Sequence, residues 1–264
     1  MPMIDGAAHL NLVDSSRQLF ELDPGAEIEA GDGWVFGAGR SPHPLISNAA
    51  FRIDDGLEPA RLIARARDFF GARGRGFAVW ARTVPKDWDL IEAATEAGLE
   101  EAYAMPEMVL EGRAEERPPG EGVQLRRVTS ADEAAEYWQV AAAAYASLGF
   151  PAEIFAFYER AESLLAGNAA AFLAHLDGRP AAIAMTIVSQ GVAGVYWVGV
   201  TEQARGRGLG WTLTALAVNA GFDLGAGTAS LQASPMGKRL YERMGFETIF
   251  DYRLLLCHPP EPGR

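Results

Sequence analysis

Apolar residues recur along the chain at two spacings, and the switches between those spacings mark out its elements. Val195-Tyr-Trp-Val-Gly-Val200 is continuously apolar and rich in β-branched and aromatic residues, which predicts a buried strand. The pattern breaks at Arg205-Gly-Arg-Gly-Leu-Gly210 and resumes with helical spacing from Trp211 to Ala220. Thr228 to Ala233 then predicts a strand, Pro235 to Met244 a helix and Phe246 to Leu256 a last strand. Upstream, Val123 to Val128 alternates as a strand does, and Ser130 with Glu133 forms a capping-box pattern for a helix reaching about Tyr145. Pro151 opens a further helix with Ile154, Phe155, Phe157 and Tyr158 on its apolar side. Ala170 to Leu176 and Ala181 to Val188 flank Asp177-Gly178, a hairpin signal. The resulting order, β-α-α-β-β-β-α-β-α-β, predicts an α/β (α+β) layout with helices on a mixed central sheet.

The earlier part of the chain follows a similar plan. Residues 6–20 predict a helix, and Gly31-Asp-Gly33 joins two strands, Ala26 to Ala30 and Trp34 to Gly39. After Pro42-His-Pro44, Leu45 to Ile53 predicts a strand, Pro59 to Phe70 a helix and Phe77 to Trp80 a strand. Asp87 to Ala97 predicts a helix stopped by Gly98, and Tyr103 to Leu110 a strand weakened at Pro106. Residues 111–122 are charged, then rich in proline and glycine, with almost nothing to bury. These patterns predict one domain over 1–112, a linker over 113–122 and a second domain over 123–264. Ala97-Gly-Leu99 and Met244-Gly-Phe246 each end a helix and begin a strand, which points to an internal duplication. Where the second copy has its glycine loop, the first has Asp54-Asp-Gly-Leu-Glu-Pro59, whose acids would repel a phosphate.

Charge and composition narrow the partners. The net charge is −12, and residues 1–112 hold 19 acidic groups against 10 basic ones. That sign argues against nucleic acid and favours cationic partners. With Cys257 as the sole cysteine, no disulfide framework or cysteine-based metal site is expected, and the four histidines show no metal-ligand spacing. No apolar run approaches a membrane span, and the start of the chain lacks a signal-peptide pattern, so a cytoplasmic protein with no membrane partner is expected.

A strand, a turn with glycines and arginines, then a helix is suited to an anionic phosphate. Glycine lets the backbone approach, and the first helical N–H groups are unpaired at the positive end of the dipole. Solvated surface charge would also explain Arg205 and Arg207, but their position between glycines at a helix start favours the anion. The loop has neither Gly-x-Gly-x-x-Gly nor Gly-Lys-Ser/Thr, which argues against a generic nucleotide-binding fold.

Val200-Thr-Glu-Gln-Ala-Arg-Gly-Arg-Gly-Leu-Gly210 resembles the signature of GCN5-related N-acetyltransferases, whose core is Arg/Gln-x-x-Gly-x-Gly/Ala, here Arg205, Gly208 and Gly210. Leu240-Tyr-Glu-Arg-Met-Gly-Phe246 resembles the later Leu-Tyr-x-x-x-Gly-Phe segment of that family. The two together cover residues 123–256, and pattern alone extends the resemblance to 1–112 as a degenerate tandem copy. The resemblance implies acetyl-CoA, or a related acyl-CoA, as donor, and from the residues no metal is expected. The backbone amides of Arg205, Gly206, Arg207, Gly208, Leu209 and Gly210 would hold the pyrophosphate. Val198 and Val200, at the end of a strand splayed from its neighbour, would bond the pantetheine arm. Tyr241 would protonate the departing thiolate. It lies one position off the core stripe of Met236, Leu240 and Met244, which favours that role over packing. Ser234 stands where the family often has a cofactor-contacting asparagine, though Ser-Pro is equally a helix cap. Glu202 replaces a common proline.

The general base is not legible, since the 195–200 strand carries no acid; Glu153 and Glu159 read more simply as solvated helix charges. The expected reaction is direct attack of a small primary amine, of cationic character, on the thioester in a ternary complex. The alternatives are a non-catalytic acyl-CoA-binding or sensing protein and a protein N-acetyltransferase. A monomer or homodimer is expected, with the acidic first domain closing one side of the acceptor groove.

Overall fold

The computed structural model describes residues 4–21, 25–40, 44–147, 149–150 and 161–259. The helix expected from Pro151, with Glu153 and Glu159, and also His43 lie outside these residues. In chain order the elements are α1 (Ile4–Glu21), β1 (Glu27–Gly31), β2 (Trp34–Ala38), α2 (Pro44–Ser47), β3 (Asn48–Arg52), α3 (Pro59–Gly71), β4 (Phe77–Arg82), α4 (Trp88–Glu96) and β5 (Glu100–Glu111). There follow β6 (Val123–Arg127), α5 (Ala131–Ala146), α6 (Glu162–Leu165), β7 (Ala169–Leu176), β8 (Arg179–Ser189), β9 (Val192–Val200), α7 (Leu209–Asp223), β10 (Thr228–Gln232), α8 (Lys238–Arg243) and β11 (Glu247–Cys257). Among the described residues no helix is long and apolar enough to cross a membrane.

The chain forms two compact units: one of residues 1–15 and 107–249, the other of 16–106 and 250–264. A cut at 113–122 would not reproduce this division, because both terminal segments are exchanged between the units. In the first unit β6, β7, β8 and β9 pair antiparallel, β9 pairs parallel with β10, and β10 pairs antiparallel with the end of β5. In the second unit β1, β2 and β3 pair antiparallel, β3 pairs parallel with β4, and β4 pairs antiparallel with β11. Each unit is therefore a mixed sheet with one parallel pair, bridged by the right-length helix α7 or α3. The strand after each second helix, β5 or β11, borders the parallel pair of the other copy. That exchange has no signature in local periodicity.

The core of the first unit packs α7 residues Leu209, Leu213, Ala217 and Val218 against Ala193 and Val195 of β9 and Ala229 and Leu231 of β10. The core of the second gathers Phe36, Leu62, Phe69, Phe70, Phe77 and Leu90, with the Phe70 and Phe77 rings stacked at 4.7 Å. Beside it Asp87, 1% exposed, receives hydrogen bonds from the equally buried Arg52 (2.8 Å) and from Arg82 (2.7 Å). These guanidiniums outweigh the burial that would otherwise raise its carboxyl, and hold it down at about 2. The acidic turn of the first copy joins this cluster: Asp55 pairs with Arg82 and Lys86.

Three expectations change in detail. Residues 44–47 form a helical turn rather than the start of a strand, since Pro44 fixes φ for a helix start and only Asn48–Arg52 enters the sheet. The segment from Pro235 is a hydrogen-bonded turn, and α8 begins only at Lys238: the Ser234 carbonyl accepts from the amides of both Gly237 and Lys238. The 113–122 segment does find something to bury. Asn219 of α7 clasps the backbone of Ala114 by accepting from its N–H at 3.0 Å and donating to its carbonyl at 3.2 Å. Trp211 donates its indole N–H to the Glu115 carbonyl at 2.9 Å, and the Arg117 guanidinium covers its ring at 3.3 Å. A polar-looking segment thus docks because α7 offers it a polar and aromatic face.

Candidate active site

The ladder between β9 and β10 runs only from Val192–Thr228 to Gly194–Ser230, while β9 continues to Val200 and β10 to Gln232. A gap therefore opens between the two strands. Its β9 wall is shaped by an irregularity: Met185 faces Tyr196 and Ile183 faces Gly199, so two β9 residues lie opposite Ala184. Trp197 occupies this bulge with φ of 52°, a conformation costly for an aromatic residue, and its ring rests on Tyr145 and Trp138. The bulge turns the Val198 carbonyl toward Tyr145, whose hydroxyl donates to it at 3.4 Å. Val198 and Val200 are half-buried on this edge.

Beyond β9 the chain makes a short turn over Glu202–Ala204 and enters the glycine loop. Gly206 and Gly208 have φ of 77° and 78°, with open space where a Cβ would sit, so conformation rather than crowding calls for glycine there. Gly208 is the N-cap of α7 and has no side chain to cap it, which leaves the first amides of the helix for a ligand. Leu209 turns its side chain into the core, and Gly210 lets α7 approach Leu240, 3.1 Å from a would-be Cβ. Arg207 is exposed, whereas Arg205 is half-buried and bonds the Ser147 hydroxyl at the end of α5. This loop fits an anionic diphosphate: open backbone donors, a helix N-terminus and cationic side chains coincide.

Tyr241 is 8% exposed and packs edge-on against Phe246 at 5.8 Å. A Cβ on Gly237 would stand 2.8 Å from the Tyr241 ring, so this glycine makes room for it. Burial pushes the phenol up to about 12, partly offset by the Thr214 hydroxyl on α7. Tyr145 neighbours it and is also raised by burial. Ser234 uses its hydroxyl oxygen to accept the Gly237 amide at 3.1 Å, which caps the turn before α8.

The remaining candidates have structural partners or weak chemistry. His175 Nε2 meets Glu136 at 3.0 Å. Burial raises the Cys257 thiol, the opposite of what a nucleophile requires. Among the described residues no group of three metal-ligating side chains occurs.

Sequence reading missed Glu107, Tyr196 and Asn11. Glu107 is completely buried and accepts from Gln232 Nε2 at 2.7 Å. Tyr196 donates to Asn11 Oδ1 at 2.6 Å, and Asn11 Nδ2 lies within bonding distance of the Ile187 and Val192 carbonyls. One signal existed for Glu107, an acid opening the otherwise apolar run Met108-Val-Leu110.

The acetyltransferase (GNAT) domain family matches residues 110–235. In fold, the chain is similar to a GCN5-related N-acetyltransferase from Kribbella flavida, with TM-score 0.70 and 23% identity over 95% of this chain and 96% of that one. It is also similar to one from Sphaerobacter thermophilus, with TM-score 0.63 and 14% identity over 87% and 82%. A tandem GNAT protein from the clavulanic acid biosynthesis pathway superposes with TM-score 0.61 and 13% identity over 94% and 96%. No curated protein matches the sequence. Residues 110–235, which hold the bulged strand, the splayed pair and the glycine loop, thus match the acetyltransferase (GNAT) domain family, and the chain shares the fold of GCN5-related N-acetyltransferases.

Proposed function

We propose that the unit built on residues 107–249 is an N-acetyltransferase that moves an acetyl group from acetyl-CoA to a small primary amine by direct attack in a ternary complex. The observation that carries this reading is the coincidence of the glycine loop, the gap between β9 and β10, and the buried Tyr241 hydroxyl beside α7. The amides of Gly206 to Gly210 would bind the diphosphate, with Arg205 and Arg207 adding charge, and the backbone edge at Val198 and Val200 would align the pantetheine arm. Acetyl-CoA supplies an acyl group activated as a thioester. Tyr241 keeps its proton well above neutral pH, so it serves as a hydrogen-bond donor to the charge that develops on the leaving sulfur. Net charge of −12 favours an acceptor that arrives as a cation.

The test is thiol release from acetyl-CoA over a panel of small amines and lysine peptides, against a buffer control. Amine-dependent release is the expected result. Acetyl-CoA binding without any amine-dependent release would instead identify an acyl-CoA sensor, and release only with peptides a protein N-acetyltransferase.

A further inference from the structure

Among the described residues, Glu107 is buried without a cationic partner. It is 0% exposed, one carboxyl oxygen accepts from Gln232, and the other, Oε1, completes no hydrogen bond. The Ser230 hydroxyl is near enough to favour the ionised form, yet it too completes no bond. Burial outweighs both neighbours and pushes the carboxyl up to about 8. An apolar residue would suit a merely structural position better, because an unsatisfied buried carboxyl is unfavourable.

The strand register shows what this carboxyl faces. Glu107 pairs with Gln232, and Ser230 pairs with Gly194. Alternation therefore puts Glu107, Ser230, Gln232, Gly194 and Tyr196 on one face of the sheet. Ala193, Val195, Ala229 and Leu231 take the other face, packed with α7 and Tyr241. The Tyr196 ring folds over Gly194, its hydroxyl 2.4 Å from where a Cβ would be, which holds the phenol at the closed end of the gap. That hydroxyl gives its hydrogen to Asn11, so its oxygen still offers lone pairs. Glu107 and Tyr196 also sense each other electrostatically. Among the described residues, Asp14 of α1 also acts electrostatically on Tyr196, and β10 presents the neutral Ser230 and Gln232 to Glu107.

Resting on the acetyltransferase reading, we propose that this face is the amine subsite and that Glu107 takes the proton of the incoming ammonium. The Tyr196 oxygen and Glu107 would receive the ammonium hydrogens on one face of the gap, opposite the face that holds Tyr241. The ammonium proton passes to Glu107, the amine nitrogen forms its bond to the acyl carbon, and the carbon–sulfur bond breaks with its electron pair leaving on sulfur. As the amide forms, the nitrogen loses its second proton, which reaches the thiolate through the Tyr241 hydroxyl that receives it, so Tyr241 ends protonated as it began, and Glu107 returns the first proton to solvent. The expected substrate class is a primary amine whose ammonium stands on an arm slender enough to enter the gap.

The decisive variant is E107Q, which keeps the size and the contact with Gln232 but cannot accept a proton. Rates of thiol release would be followed from pH 6 to 10 for the full chain and for E107Q, with acetyl-CoA affinity measured by calorimetry. The expected result is a loss of roughly 100-fold in kcat/KM for the amine, with unchanged acetyl-CoA affinity and no rising limb near pH 8. An E107Q enzyme as active as the parent, with the same limb, would overturn the proposal while leaving the acetyltransferase reading intact. Acetyl-CoA binding without amine-dependent turnover by the parent would remove both. Carbon-13 titration of the glutamate carboxyls in the parent gives an independent check, since a Glu107 carboxyl that ionises in the ordinary range near ~4.3 would also overturn it.

Discussion

Replacing Asn11 by alanine tests how α1 is fixed to the first unit. Its amide nitrogen lies 3.0–3.2 Å from the Ile187, Ser189 and Val192 carbonyls and the Ser189 hydroxyl, and its oxygen accepts from Tyr196 at 2.6 Å. An NH₂ group has two hydrogens, so only two of those four acceptors can be fully served at once. Alanine would remove these two bonds and the one from Tyr196, each worth about 1 kcal/mol net, and leave a buried phenol unpaired for roughly 1 kcal/mol more. The expected destabilisation is about 3–4 kcal/mol. With a urea slope near ~2–3 kcal/mol/M, the midpoint of the first unit should fall by more than ~1 M. Hydrogen exchange at the β8–β9 amides would show whether the loss is local to that hairpin. Tyr196→Phe should be harmful in the parent and nearly neutral in the Asn11→Ala background, because the bond it removes is already gone. A midpoint change under ~0.2 M, or additive effects of the two substitutions, would refute this account.

Tyr241→Phe should lower kcat for thiol release roughly 10–100-fold, with acetyl-CoA affinity within about twofold of the parent, because only the donor to sulfur is lost. An unchanged rate would show that the tyrosine only packs. Gly208→Ala should raise the acetyl-CoA KM roughly tenfold, since φ of 78° strains alanine by ~1–2 kcal/mol and relief of that strain would displace the amides of the loop. Asp87→Asn should destabilise the second unit by about 3–5 kcal/mol in denaturant melts, because Arg52 and Arg82 would be left buried and underpaired. Its pH dependence has a definite sign: folding lowers the Asp87 carboxyl from 3.8 to about 2, so the stabilisation is present above 3.8 and disappears as pH falls through 2. For Glu107 the sign reverses. Its carboxyl is raised from 4.5 to about 8, so stability is highest below 4.5 and should fall by up to roughly 5 kcal/mol as pH rises through 8, a decline absent from E107Q.

Local chemistry made much of the structure legible. The spacing of Leu62, Ile63, Ala66, Phe69 and Phe70 predicts α3, and those are its buried residues. Ser130 caps α5 as its spacing implies, although the Glu133 carboxylate returns its bond to Thr129 rather than to Ser130. Gly98 and Gly245 both end helices with positive φ, and Leu99 and Phe246 donate back to Ala94 and Tyr241. What remained hidden depends on partners distant in sequence. Nothing near Glu107 predicts Gln232 across the sheet, and nothing near Tyr196 predicts Asn11, 185 residues away. The bulge at Trp197 was equally silent, because a run apolar at every position does not reveal an extra residue. The glycine loop was plain since its conformation is imposed by residue type alone.

The exchange of β5 and β11 changes what each half of the chain can do by itself. A polypeptide ending near residue 112 would keep β4 but lack the strand that Phe77 to Arg82 pair with, Tyr252 to Cys257. One beginning near residue 123 would keep β10 but lack Glu107 to Glu111 beside it. Either fragment would offer a bare, largely apolar strand edge to any neighbouring chain, the condition that leads to edge-to-edge aggregation. During folding, β4 must likewise wait for a partner some 180 positions later, so the first half spends time as an incomplete sheet. Soluble expression is therefore a property of the paired halves rather than of each one, and a fragment that precipitates says nothing about whether its residues can bind acetyl-CoA.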